Sequence, residues 1–349
     1  MKKSVNYSDL LSVVAKLSNF KIIQHCFDQT YKKIVNTDEI KNLALLNIRT
    51  LTPPKIFFFK PKDPISDISF EVENVLLIDV KFCDLKALKI LDNMFLKDYI
   101  DEQYKTYKDN TFIISSDCVS PKESCFCSIV GGKPYVEKED GSDINISFVD
   151  ENNLILEAFS LKGEKFLKEN FSEFEPPTES EILKRDSVRK VAERKIIEFN
   201  KEFIKEEKNK TKYYLALKNT YDIKDTWKKE SEKCVQCGGC NFICPSCYCF
   251  LIREASVSVV NQYRDKVWDV CHFTGYARVA GGANPRKYKY QRFRNRYQCK
   301  FVYRYENFKM YACSGCGRCI EVCPAKIDIR KVIRNLVLAK GEKVLKFEQ

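Results

Sequence analysis

Apolar residues return at helical spacing at Leu10, Val13, Val14 and Leu17, just after Ser8 and Asp9. This predicts a short helix that opens near those two capping residues. From about residue 55 the rhythm changes to short apolar runs at 56–59, 75–78, 111–114 and 144–148. Such runs read as strands, and Gly131-Gly132 and Asp140-Gly141 read as the turns between them. The segment DLKALKILDNMFL between the second and third runs reads as a helix opening at Asp84. An α+β fold, a mixed α/β domain, is expected for residues 1–175.

Pro176-Pro177 interrupts any continuing strand or helix and marks a boundary. Beyond it, Thr178 and Glu181 stand at capping-box spacing. Val188, Val191, Ala192, Ile196, Phe199 and Phe203 then recur at helical intervals among Lys and Glu. With a second helical piece near 212–230, residues 176–230 are expected to form a helical connector.

Composition narrows the class. With 349 residues, 44% of them hydrophobic and 13% aromatic, the chain can bury a core in each of two domains. No run reaches the roughly 18 apolar residues of a membrane span. MKKSVNYSDLL has no apolar stretch behind its lysines, so the expectation is a soluble, cytoplasmic protein without a secretory leader. The net charge of +12 reads first as a lysine-rich surface, offset by any thiolate-bound cluster. Two histidines, His25 and His272, leave no basis for a His-rich zinc site or a His-based triad.

The seventeen cysteines change the picture. Cys26, Cys83, Cys118, Cys125 and Cys127 are scattered through the first half, and the other twelve lie between Cys234 and Cys323. In a reducing compartment such clustering points to metal rather than disulfides. CVQCGGCNFICP supplies Cys234, Cys237, Cys240 and Cys244 before Pro245; CSGCGRCIEVCP supplies Cys313, Cys316, Cys319 and Cys323 before Pro324. Both runs have the spacing that bacterial two-cluster ferredoxins use, in which the fourth cysteine ligates the other cluster. The expected quartets are Cys234, Cys237, Cys240 and Cys323 for one [4Fe–4S] cluster, and Cys313, Cys316, Cys319 and Cys244 for the other. Gly238, Gly239, Gly315 and Gly317 are expected to supply positive φ and close approach, and each fourth cysteine to start a helix. A zinc-stapled module is the competing reading. Asp328 should cap a last helix whose Ile329, Val332, Ile333, Leu336 and Val337 share a face. Residues 231–349 are thus expected to form a two-cluster, ferredoxin-like domain.

Residues 245–312 form a long insert between the runs and hold four more cysteines, Cys247, Cys249, Cys271 and Cys299. They are enough for a third [4Fe–4S] cluster, or they are buried free thiols. Arg286, Lys287, Arg292, Arg294 and Arg296 interleave with Tyr288, Tyr290, Phe293 and Tyr297. That mixture could stack bases, but beside clusters it reads better as screening of anionic iron–sulfur groups or partner docking than as nucleic-acid binding. Cys118, Cys125 and Cys127 read as structural. Cys83 is expected at a strand-to-helix turn.

CVQCGGCNFICPSCYCF, VWDVCHFTGYARVAGGANPRK and CSGCGRCIEVCPAKIDI, with FCDLKALKILD and SCFC in the first half, carry a resemblance. The chain resembles the family formed by the iron–sulfur subunit of anaerobic sulfite reductase and the beta subunits of sulfhydrogenases. The NPRK…RFRNRY and IDIRKVI segments look closer to the hydrogenase type. The resemblance implies a non-catalytic electron-transfer subunit of a soluble anaerobic oxidoreductase complex. It would sit between two further subunits, an NAD(P)H-linked flavoprotein and a catalytic hydrogenase or reductase. The alternative is a self-contained flavin- and iron–sulfur-dependent oxidoreductase, although residues 1–175 carry neither GxGxxG nor a P-loop.

Overall fold

A computed structural model describes residues 1–26, 28–34, 37–65, 73–204, 212–256 and 262–347. Among the described residues, ten strands run in chain order: β1 (Lys2–Asn6), β2 (Lys21–His25), β3 (Tyr31–Lys33), β4 (Lys62–Pro64), β5 (Val75–Val80), β6 (Thr111–Ser116), β7 (Ile144–Phe148), β8 (Asn153–Ala158), β9 (Phe250–Ser256) and β10 (Gln262–Trp268). The chain divides into two compact units, one of residues 1–58 and 69–199, the other of residues 59–68 and 200–349.

The first unit is built on a seven-stranded sheet of order β1-β8-β7-β6-β5-β2-β3. Its centre, β2, β5, β6 and β7, is parallel, and antiparallel partners close both sides. The helices Phe82–Phe95 and Glu102–Asp109 carry the chain back between β5 and β6, as a parallel pair requires. Every residue of β6 and β7 is buried, the pattern of strands covered on both faces. On one face Leu76, Ile78, Ile114, Ile146 and Leu156 pack with Leu10, Val14, Phe166 and Leu167.

The first helix spans Tyr7–Ala15 after Asn6, so Asp9 falls in its first turn and not at its cap. The helix read from Asp84 begins two residues earlier, at Phe82. The run at 56–59 is not a strand: Pro53-Pro54 fixes the backbone, and Pro54–Phe57 winds as a 3₁₀ turn. The capping box forms, with Thr178 N–H donating to Glu181 Oε2 at 2.7 Å and Glu181 N–H to Thr178 Oγ1 at 3.3 Å. It opens the helix Glu179–Phe199, whose Arg189 reaches Asp117 (2.7 Å) and Ser147 (2.9 Å) inside the first unit.

At the carboxyl ends of the parallel strands lies a buried polar knot. Asp79 adopts φ 70° where β5 slips register against β6. Its carboxylate pairs with His25 and Ser116, and with Lys81 at 2.8 Å. Lys81 also donates to Leu45 O and Ser116 Oγ. Cys118, Cys125 and Cys127 lie close enough to influence one another, and burial pushes the Cys118 thiol up to about 12.

The second unit combines the antiparallel sheet β4-β10-β9 with short helices and the two cysteine runs. Trp227 is buried against Phe293 and Tyr297 of the helix Lys289–Gln298. That helix passes into a π-helical turn, Cys299–Tyr303. The terminal helix Ile329–Phe347 starts at Asp328, whose carboxylate accepts from Arg330 N–H, and it buries Ile329, Val332, Ile333 and Leu336.

Candidate functional site

The two cysteine runs share one backbone geometry. Gln236 and Gly315, third in each run, have φ 59° and 70°; Gly238 and Gly317, fifth in each, have φ 76° and 77°. Gly238 and Gly317 each precede a single helical turn, Gly239–Phe242 and Arg318–Glu321. Gly239 does not need positive φ, whereas Gln236 takes it in place of a glycine. Cys244 and Cys323 follow these turns and do not start helices: each opens a single hydrogen-bonded turn, in which Cys247 N–H donates to Cys244 O at 3.4 Å and Lys326 N–H to Cys323 O at 3.0 Å. A loop of this shape turns successive thiols inward from a short stretch of chain.

The thiols fall into three neighbourhoods. Cys234, Cys237, Cys240 and Cys323 line one small cavity of about 40 Å³, together with Cys319 and His272. Cys313 and Cys319 both lie near Cys316 and share Cys244 as a neighbour. Cys247, Cys249, Cys271 and Cys299 line a separate cavity of about 240 Å³ with Tyr276 and Lys300. Among the described residues, no three His, Cys, Asp or Glu side chains close on a point that would hold a single metal ion. A cubane offers a different iron to each thiolate, so its ligands stand farther apart than those of one zinc ion.

Burial dominates the protonation of these groups. It pushes the Cys319 and Cys271 thiols up to about 12. Cys244 moves the other way, held well below the ordinary thiol value by a hydrogen bond with Cys247 and by Lys300 and Arg296 nearby. His272 lies beside the first quartet, Nδ1 4.0 Å from Cys234 Sγ, and burial with Arg296 and Arg292 close by lowers it to about 3. The imidazole is neutral there.

The basic-aromatic stretch is largely internal. Arg292, Arg294 and Arg296 are buried, as are Phe293 and Tyr297. Arg292 donates to His272 O and Gln236 Oε1, and Arg294 stacks on Tyr221. Arg296 donates through Nη2 to Cys240 O at 3.1 Å. Arg292 and Arg296 therefore brace the first cysteine run and the residues beside it, while Lys287 and Tyr288 of the same stretch are exposed. Sequence reading missed Lys300, whose ammonium lies 3.2 Å from Cys244 Sγ, and Asn241, whose amide donates to Cys271 Sγ. Neither departs from the composition of its surroundings, so only the folded contacts reveal them.

No helix among the described residues is long and apolar enough to cross a membrane. Residues 233–327 match the family model described as a 4Fe-4S dicluster domain, which takes in both cysteine runs and the insert. The chain is also similar to sulfhydrogenase 2 subunit beta of Pyrococcus furiosus, with 33% identity over 321 residues, spanning 89% of this chain and 90% of that protein. The likeness thus extends through the first unit as well as the cysteine-rich one. On that similarity and the matched dicluster domain, the chain belongs to the sulfhydrogenase beta subunit family of iron–sulfur, electron-transfer proteins.

Proposed function

We propose that this chain relays electrons within a soluble, cytoplasmic oxidoreductase complex, between two partner subunits. One would be an NAD(P)H-linked flavoprotein, the other a catalytic subunit of hydrogenase or sulfite reductase type. The chain would have no catalytic site of its own. The observation that carries the reading is the matched pair of cysteine loops with equivalent positive-φ positions. Cys234, Cys237, Cys240 and Cys323 would hold one [4Fe–4S] cluster; Cys313, Cys316, Cys319 and Cys244 would hold the second. When bound, each cluster supplies a one-electron redox centre. The chain's own residues exclude water, deliver thiolates and donate hydrogen bonds and positive charge to the sulfur side. Substrate chemistry belongs to the partner.

Cys247, Cys249, Cys271 and Cys299 would hold a third cluster. What supports this is their shared cavity of about 240 Å³, roomy enough for a compact inorganic group and lined by all four thiols. Anaerobic purification followed by iron analysis and EPR tests both parts. About twelve irons per chain, falling toward eight in Cys271→Ala, fits three clusters, and about eight in both fits two. A folded, active, iron-free protein would end the electron-relay reading. Flavin retained on the purified chain, or NAD(P)H-driven dye reduction by the chain alone, would favour the self-contained oxidoreductase instead.

A further inference from the structure

We infer that Lys300 is a positioning residue whose fixed positive charge raises the reduction potential of the cluster assigned to Cys244, relative to that of the first quartet. The inference rests on the ligand assignment proposed above. Lys300 is only 3% exposed. Its three N–H donors are directed to Cys244 Sγ at 3.2 Å, Ser246 Oγ at 3.1 Å and Ala312 O at 3.0 Å. None of these three acceptors is a carboxylate. A buried ammonium is strongly disfavoured without a counter-charge. Here the thiolate side of Cys244 is the available anion.

The backbone supports this placement. Lys300 is the second residue of the π-helical turn Cys299–Tyr303, and its carbonyl accepts from Ala312 N–H at 2.8 Å. Side chain and main chain thus both grip the strand of residues just before Cys313. Arg296, one helical turn earlier, addresses the first run through Cys240 O, not through a thiol. The two buried cations are therefore not equivalent. One contacts a ligand sulfur and the other braces a ligand backbone.

One-electron reduction adds a unit of negative charge to a cluster, so a fixed cation touching its ligand stabilises the reduced form more than the oxidised form. An N–H···S bond acts in the same direction. Lys300 also borders the cavity of the insert cysteines, so its charge is shared with any anionic group there.

The test is an anaerobic, dye-mediated dithionite titration of the full chain followed by EPR, in wild type, Lys300→Gln and Lys300→Arg, with iron counted in each. The signal altered by Cys244→Ser identifies the relevant cluster. In Lys300→Gln that signal should titrate at a lower potential while the other moves less, and Lys300→Arg should restore most of the difference. Loss of one cluster's iron in the Gln variant but not the Arg variant also supports a counter-charge role. An unchanged potential with full iron in Lys300→Gln overturns the inference, as does equal loss of iron in both variants, which marks a packing role. Absence of any cubane signal in wild type would defeat the cluster assignment itself.

Discussion

Asn241 donates its side-chain amide to Cys271 Sγ across 3.2 Å, and both residues are buried. The bond ties the helical turn of the first cysteine run to the insert. Asn241→Leu keeps the bulk but removes the donor, and should cost about 1 kcal/mol of local stability. If the insert thiols hold iron, iron per chain should fall from about twelve toward eight while the two ferredoxin-type signals persist. Iron analysis with EPR spin counting reads both, and unchanged iron would detach the amide from that site.

Gly238 and Gly282 both have positive φ, but a side chain would meet different surroundings at each. A Cβ on Gly238 would lie 3.0 Å from Val270 and 3.1 Å from the Phe273 ring, whereas one on Gly282 would meet nothing within 4 Å. Alanine at Gly282 should cost only the backbone strain, about 1–2 kcal/mol. Alanine at Gly238 adds the clash and displaces a loop between two cysteines, so its brown visible absorbance should bleach much faster in air than that of Gly282→Ala. Equal bleaching rates would refute the distinction.

Gly163 lies in the first turn of the helix Leu161–Asn170, where a Cβ would stand 2.0 Å from Asp143 O and 2.9 Å from its carbonyl carbon. The obstacle is backbone and cannot rotate away. Gly163→Ala should therefore destabilise the first unit by about 1–3 kcal/mol. Both tryptophans, Trp227 and Trp268, lie in the second unit. Denaturation followed by far-UV circular dichroism should thus shift to lower denaturant, while the tryptophan transition stays in place.

Glu181 accepts hydrogen bonds from Ser4 and from the Thr178 backbone, and these hold its carboxyl below the usual carboxylate range. The folded state thus binds its proton less readily than the unfolded state. The resulting stabilisation is complete above the ordinary Glu value of about 4.3 and is lost as pH falls toward the lower folded value. Glu181→Gln should flatten the loss of first-unit stability that sets in as pH falls below the ordinary Glu value. Parallel denaturation curves by circular dichroism would show it, and an unchanged slope would remove Glu181 from the acid response.

The central strands β5 and β6 were legible because burial on both faces leaves short continuous apolar runs, VLLI and FII, and β7 because Ile144, Ile146 and Phe148 alternate with Asn145 and Ser147. β1 was not, since KKSVN buries only Val5 and is held by pairing with β8. The 56–59 run was misread because apolar content alone does not separate a strand from a proline-initiated turn. At the site, spacing singled out two complete cysteine runs, because covalent chain length limits how thiols can surround a cluster. Lys300 and Arg296 could not be recognised in the same way. Whether a basic side chain is buried depends on distant neighbours, here Ser246 and Ala312 for Lys300 and Cys240 for Arg296.

The π-turn at Cys299–Tyr303 has an effect on evolution and engineering of this segment. It works as a phase break: residues before it, such as Phe293 and Tyr297, keep time with Trp227, and those after it, such as Phe301, keep time with Tyr311. Deleting one residue inside the turn would restore regular winding and leave everything downstream at nearly its present angle, because about five residues of a π-turn sweep the same arc as four of an α-helix. A one-residue deletion at the turn is therefore expected to cost far less than the same deletion within the helix Lys289–Gln298, which would rotate the residues beyond it by about 100°.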